Sequence, residues 1–201
     1  MTNFDERARE WDTPERQARA VRVARVIRES VSLTPQTRMI EVGAGTGLLG
    51  LELAADLGEV VLAEPSPGML EVAREKLAGG RFPNVSAASF DLLTDAAPGG
   101  PFDVAVSLLV LHHLPDTHAA LSAVRDLVRP GGWIALADLD AEDGSFHGPE
   151  AEGIHHQGFD RQELAGVARS VGFTHVSVRT ATELERDGHM YPVFLLLGRR
   201  A

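Results

Sequence analysis

A chain of 201 residues that is 44% hydrophobic and 24% charged can bury one sizeable core and is short for two. The absence of cysteine excludes disulfides, cysteine nucleophiles and thiolate metal sites, and a formal net charge of −10 sets the field of the whole chain against nucleic acid. No run of about 18 or more apolar residues marks a membrane span, and the start Met-Thr-Asn-Phe-Asp-Glu has no apolar signal core, which together predict a cytoplasmic protein.

Residues Asp5 to Ser30 predict a helical region, with Pro14 in a first turn opened by Thr13. Ala18, Val21, Ala24 or Arg25, and Ile27 or Arg28 recur at helical spacing, which turns Arg16, Arg19 and Arg22 toward solvent or a pocket edge. Trp11 is either an apolar anchor for the terminus or, with Phe4, part of a lid. Next, Met39, Ile40 and Val42 predict a short buried strand, Gly43, Gly45 and Gly47 a tight turn, and Leu48 the start of a helix. Strand, glycine turn and helix make a nucleotide-binding corner. Glycine at Gly43 and Gly45 permits a sharp bend and lets a ligand approach the backbone, while the first helical N–H groups stay free to face it. Leu48 occupies the position where the dinucleotide fingerprint has its third glycine, and no lysine follows the turn, which excludes the phosphate-binding loop.

Glu59 to Ala63 predict a second buried strand that ends at Glu64-Pro65, and Ser66-Pro67 caps and opens a helix with Met69, Leu70, Val72, Ala73 and Leu77 as its apolar face. Glu64 therefore stands beside the glycine corner, where an open α/β sheet places a carboxylate for ribose hydroxyls. Val85 to Ser89 predict a third strand, polar enough for a sheet edge, followed by Phe90-Asp91-Leu92. A fourth strand begins at Phe102 and runs into His112-His113, and Asp116 caps a helix through Leu127. Pro130-Gly131-Gly132 predicts the stop of that helix, and Trp133 to Ala137 the fifth strand, with Asp138 and Asp140 just beyond it. From Leu139 to Phe159 periodicity is poor and polar groups are dense, which predicts a functional insertion or mobile cover. Asp160 to Glu163 reads as a capping box for a helix that Gly172 ends, and His175 to Thr182 and Tyr191 to Leu197 predict two last strands joined through an acidic turn at Glu183 to Gly188.

The pattern Glu41-x-Gly43-x-Gly45-x-Gly47, the strand Phe102-Asp-Val-Ala-Val-Ser107 with its Leu111-His-His-Leu114 continuation, and Arg129-Pro-Gly-Gly132 resemble the class I S-adenosylmethionine-dependent methyltransferases of small-molecule type. The resemblance spans nearly the whole chain. It implies one α/β domain over residues 1–201, a three-layer Rossmann-like fold with a seven-stranded, mostly parallel sheet and an antiparallel last strand. It also implies a helical lid over about residues 1–30 and an acceptor-side insertion over about 139–159. The implied cofactor is S-adenosyl-L-methionine, converted to S-adenosyl-L-homocysteine. Its implied contacts are Glu41, Gly43, Ala44, Gly45, Gly47, Glu64, Pro65, Met69, Phe90, Asp91, Leu92 and Ser107, with Glu64 on both ribose hydroxyls, Asp91 on the adenine amino group, and Phe90 and Leu92 as adenine walls. Trp11, Asp140, His155 and His156 fall on the substrate side.

Methyl transfer from a sulfonium requires the nucleophile, methyl and sulfur nearly in line, and a nucleophile with an available lone pair. A histidine after the fourth strand can remove a proton near neutral pH. His113 is preferred over His112 because adjacent side chains on an extended segment point oppositely; both can instead be structural, and a carboxylate from Asp138 to Asp143 is the alternative base. His147, His155 and His156 with Asp140 or Glu152 form no recognised metal motif, so metal-free catalysis is expected. The expected function is methyl transfer to a small molecule, with the acceptor and accepting atom open. A non-catalytic S-adenosylmethionine-binding regulator and a nicotinamide-dependent oxidoreductase are the alternatives. Neither nucleic acid nor a membrane is an expected partner, and monomer and homodimer both remain open.

Overall fold

The computed structural model describes residues 4–148 and 153–201. Seven strands, β1 (Arg38–Val42), β2 (Glu59–Glu64), β3 (Val85–Ser89), β4 (Phe102–Leu108), β5 (Val128–Leu139), β6 (Phe173–Arg186) and β7 (His189–Arg200), form one sheet in the order β3-β2-β1-β4-β5-β7-β6. The pairs among β3, β2, β1, β4 and β5 are parallel, and β7 runs antiparallel to both β5 and β6. The expected seven-stranded, mostly parallel sheet is thus present.

Six helices, α1 (Phe4–Arg7), α2 (Pro14–Ser30), α3 (Leu48–Leu53), α4 (Pro67–Ala78), α5 (Thr117–Leu127) and α6 (Arg161–Ser170), accompany the sheet. Side chains alternate across each strand, so the sheet has two apolar faces. Met39, Val60, Leu62, Val106, Ala135 and Leu195 pack with Val23, Ile27, Leu49 and Leu53 of α2 and α3. Ile40, Val61, Ala105, Ile134, Leu136 and Phe194 pack with Leu121, Val124, Leu164 and Ala168 of α5 and α6. The side chains of Thr13, Ser66, Asp116 and Asp160 accept from the first-turn N–H groups of α2, α4, α5 and α6. From β1 the chain winds one way to β2 and β3, then returns to place β4 and β5 on the other side. The crevice outside the carboxyl ends of β1 and β4 is the switch point where open α/β sheets bind ligands.

The N-terminal region is helical as expected, in two pieces, with Thr13 capping α2 and Pro14 in its first turn. Several other sequence expectations are corrected. The buried stripe of α2 is Ala20, Val23, Ala24 and Ile27, while Ala18 and Val21 face solvent; the expected stripe was shifted around the helix. Pro130 to Gly132 does not stop a helix. The helix already ends at Leu127, and the glycine-containing segment is an irregularity inside β5, between the Phe102–Val128 and Val104–Trp133 pairs. The last hairpin is longer than expected, and its polar strands pair through Arg186 and His189, so the turn shrinks to Asp187-Gly188. Backbone pairing there overrides a composition that reads as loop. Among the described residues no helix is long and apolar enough to cross a membrane.

Candidate active site

The glycine corner is a set of close approaches. Gly43, Gly45 and Gly47 have φ of +62°, +56° and +85°, a region that side-chain-bearing residues rarely adopt. A Cβ on Gly43 would lie 2.7 Å from Val110, and one on Gly47 would lie 2.7 Å from Leu62. Gly43 thus admits the side chain of Val110, which follows β4. At Gly45 the nearest neighbour of such a Cβ is Trp11 Nε1, at 3.7 Å. Glu41 reaches inward instead: its Oε2 accepts from Gly50 N at 2.8 Å and ties α3 to β1. Burial pushes its carboxyl up to about 8, against the opposing pull of that N–H.

Glu64 closes the other side of the corner. One carboxylate oxygen accepts from Gly45 N at 2.6 Å and the other from Ser66 N at 2.8 Å. Burial raises its pKa and the two N–H groups oppose that shift. Each oxygen retains acceptor capacity beyond its single backbone bond. Phe90 and Leu92 are buried beside Ala63, while Asp91 is half-buried and accepts from Leu93 N at 2.9 Å. Ala44 and Met69 are buried, Pro65 is exposed, and Ser107 is buried with a partnerless hydroxyl.

Beyond β4, Leu109 at φ +58° bends the chain so that Val110 meets Gly43 and Leu111 to His113 form a short 3-10 turn. The histidines are therefore not on an extended segment, and their rings lie 4.1 Å apart instead of pointing oppositely. His112 is 1% exposed and its Nδ1 lies 2.7 Å from Asp138 Oδ1, with Asp138 fully buried at the end of β5. Asp138 also accepts from the backbone N–H of His112 and of Leu139. In the tautomer that donates from Nδ1 to this carboxylate, Nε2 presents the lone pair. That Nε2 is buried with no hydrogen-bond partner. His113 Nδ1 donates to Gly153 O at 2.9 Å, and burial, then the neighbouring His112, lowers its pKa.

Two segments close over this rim. At the front, Phe4 packs edge-on against both Trp11 and His113, with ring centroids 5.7 and 5.3 Å apart, so it bridges corner and rim. Asp5 accepts from Ser66 Oγ and Gly68 N, and Asp12 holds both Lys76 and Thr46 at 2.5 Å. At the back, the described part of the segment from Leu139 to Phe159 brings His147 over His112, ring centroids 4.8 Å apart. Burial first, then the neighbouring His112 and His113, pushes the His147 imidazole down to about 4. His156 donates to Leu114 O at 3.0 Å and backbone N–H groups of His155 and His156 reach His112 O, so these residues tie the cover to the rim. The Asp140 carboxylate is engaged by Arg161 at 2.6 and 2.7 Å. Glu152 and residues 1–3 of the expected lid lie outside the described residues. Sequence reasoning passed over Asp12, Thr46, Lys76 and Val110, whose roles come from contacts distant in the chain, and considered His147 only as a metal ligand.

Residues 40–134 match the model of a family described as "Methyltransferase domain". An uncharacterized methyltransferase of Mycobacterium bovis is 35% identical over 98 residues, covering 49% of this chain and 48% of its own, so the chain spans about half the length of that curated relative. A ubiquinone biosynthesis O-methyltransferase of Paraburkholderia phymatum is 26% identical over 93% of this chain and 88% of its own. Among solved structures, a putative methyltransferase of Haloferax volcanii, in complex with a methyltransferase activator, superposes with a TM-score of 0.78 at 17% identity, over 99% of this chain and 98% of that one.

Proposed function

We propose that the chain is a class I S-adenosylmethionine-dependent methyltransferase that transfers a methyl group to a small molecule whose accepting atom carries a proton. The observation that carries this reading is a juxtaposition. The glycine corner with Glu64 and the buried His112–Asp138 pair lie at the same carboxyl edge of the sheet, joined by Val110 against Gly43.

S-adenosyl-L-methionine fits the corner on chemical grounds. Gly45 is the corner glycine whose open side faces an aromatic ring, and Glu64 retains acceptor capacity for two ribose hydroxyls. In this reading Gly45, Glu64, Asp91 and the Phe90 and Leu92 walls hold the cofactor, whose sulfonium supplies an electrophilic methyl group. The buried Glu41, Met69 and Ala44 shape the corner from behind.

The chain's own part in the reaction is positioning and proton removal. His112 Nε2 would take the proton of the accepting atom while the bound cofactor would supply the methyl group and keep the electrons of its carbon–sulfur bond. Asp138 keeps the Nδ1 proton in place and stabilises the imidazolium that forms. His112 replaces His113 as the preferred base because His113 lacks a carboxylate partner and Phe4 packs against its ring. The Phe4 to Trp11 segment acts as the front lid and the described part of 139–159 as the acceptor-side cover, excluding water from the sulfonium. The similarity to ubiquinone biosynthesis O-methyltransferases supports a hydroxyl as the accepting group, and the acidic chain supports a small molecule over nucleic acid.

Calorimetric titration with S-adenosyl-L-homocysteine, followed by single-turnover transfer of a labelled methyl group to a panel of hydroxylated small molecules, tests this reading. Saturable binding and a labelled product are expected. A folded protein that does not bind the cofactor product would overturn it, and binding without transfer to any acceptor class would favour the regulatory alternative.

A further inference from the structure

Beyond β5 the chain forms two limbs, residues 142–148 and 154–158, and a cavity of about 750 Å³ lies between them. Backbone bonds lace the limbs together at their base: Glu142 N donates to Gln157 O, Ala141 N to Phe159 O and Phe159 N to Leu139 O. The second limb is tied to the rim, where His155 N and His156 N donate to His112 O. His147 forms part of the first wall, and its ring lies 4.8 Å from that of His112. The cavity therefore stands against the imidazole proposed as the base. Its volume suits a small organic molecule.

The lining is unbalanced in hydrogen bonding and in charge. Glu142 Oε2 accepts from Gly144 N at 2.8 Å and from Phe146 N at 3.0 Å, which fixes the carboxylate inside the turn. Its other oxygen, Oε1, is buried with no hydrogen-bond partner. A carboxylate oxygen only accepts, so the group missing there is a donor. Among the described residues that line the cavity none is lysine or arginine; Arg161 is bound to Asp140, and Arg186 donates to Phe146 O. His147 does not supply the charge, because burial first, then His112 and His113, pushes it down to about 4, and His156 already donates to Leu114 O. The exposed Asp143, which accepts from Ser145 N, adds a second carboxylate to the same wall. A buried carboxylate oxygen without a donor is costly to a fold, and a ligand that brings the donor offsets that cost.

We propose that this cavity binds a molecule carrying a protonated amine, whose N–H groups Glu142 Oε1 receives, and that the amine is a handle separate from the group that accepts the methyl. A protonated amine has no lone pair and cannot itself be the accepting atom. Its place is at the acid, and the place of the accepting hydroxyl is at His112 Nε2. The substrate class is thus a hydroxylated amine. Its role as methyl acceptor rests on the methyl-transfer reading; the amine subsite rests on the cavity and the unpartnered oxygen. An alcohol would satisfy that oxygen without the charge, and a carboxylate would meet Glu142 and Asp143 as like charges.

The experiment uses tyramine, p-ethylphenol and p-hydroxyphenylacetate, probes that share a phenol and end in an ammonium, a methyl and a carboxylate. Their affinities for the full-length parent, Glu142→Gln and Asp143→Asn are measured by calorimetry at fixed ionic strength, with and without S-adenosyl-L-homocysteine. The parent should bind tyramine about tenfold or more tightly than p-ethylphenol, and p-hydroxyphenylacetate most weakly. Glu142→Gln keeps an oxygen for the Gly144 and Phe146 N–H groups but removes the charge, so it should erase the preference for tyramine and leave p-ethylphenol unchanged; Asp143→Asn should reduce that preference less. Equal affinity of the parent for the probes, a preference for the carboxylate, or no saturable binding of any probe overturns the proposal. So does a tyramine preference that survives Glu142→Gln, or an equal loss for every probe in that variant, which would mark Glu142 as a cap of the turn alone. Should Glu142→Gln fail to fold, the order of affinities in the parent still decides. Single-turnover methyl transfer to tyramine and p-ethylphenol separates the two readings: a tyramine preference in binding without transfer to either supports the amine subsite and counts against methyl transfer, while transfer to both at equal affinity does the reverse.

Discussion

The two sides of the crevice treat their polar groups differently. On the β1–β2 side, Glu41 and Glu64 each accept from backbone N–H groups of the corner, and Asp5 and Asp12 hold Ser66, Gly68, Thr46 and Lys76. On the β4–β5 side lie the buried polar atoms without partners: Ser107 Oγ, His112 Nε2, His147 Nε2 and Glu142 Oε1, with Arg19 Nε across from them on α2. Unsatisfied buried polar atoms are expensive and native folds carry few of them. Their concentration on one side leaves unused hydrogen-bonding capacity there, whereas the corner satisfies its own polar groups.

The largest effect is expected on the unsatisfied side. His112→Ala should lose about 10² to 10⁴ in the rate of the chemical step with cofactor affinity retained, and Asp138→Asn should approach that loss because the imidazole can adopt the wrong tautomer. Single-turnover kinetics with the true acceptor measure both; parent-like rates would remove the base from the rim and erase the contrast. On the self-satisfied side, Glu64→Ala should weaken binding of the cofactor product by roughly 2 to 4 kcal/mol, because charge-assisted hydrogen bonds are lost and the Gly45 and Ser66 N–H groups lose their acceptor. Unchanged affinity in calorimetry would mean that Glu64 serves the fold alone.

A third change tests how rigid the corner is. A Cβ on Gly50 would lie 2.4 Å from Leu62 and 2.6 Å from Glu41 Oε2, so Gly50→Ala should cost about 1 to 3 kcal/mol in urea unfolding. Gly166 on α6 has nothing within 4 Å of such a Cβ, and Gly166→Ala should instead gain up to about 1 kcal/mol. Similar results for the two would show that the corner relaxes as easily as an open helix surface. The smallest effect is the pH dependence contributed by His147. Its folded pKa of about 4 lies below the ordinary imidazole value of 6.5, so between those values the unfolded chain binds a proton that the folded chain does not. Stability therefore falls as pH drops through that window, and His147→Gln should flatten the slope. A slope unaltered in the variant would show that the imidazole is not held neutral by its surroundings.

Much of the corner was legible before folding because it depends on neighbours in sequence. Gly43, Gly45 and Gly47 follow a buried strand and precede a helix, and Glu64 ends the next strand; backbone chemistry and period-two burial suffice to place them together. The caps at Thr13, Ser66, Asp116 and Asp160 were legible for the same reason, since each acts within one helical turn. The choice between His112 and His113 was not legible, because it turns on the bend at Leu109 and on a carboxylate 26 residues away. The stripe on α2 was misplaced because helical spacing alone does not say which side meets the sheet.

The sequence by itself determined the strand–turn–helix corner, the class of sheet and the acidic strand end, because each is written in local periodicity and short-range hydrogen bonding. Tertiary structure alone decided that Val110 fills the space at Gly43, that Asp138 orients His112, and that Asp140 belongs to Arg161. Those outcomes depend on which distant side chains share a buried space and on which charges find partners there. Pairing and desolvation are properties of the packed chain, and no local pattern encodes them.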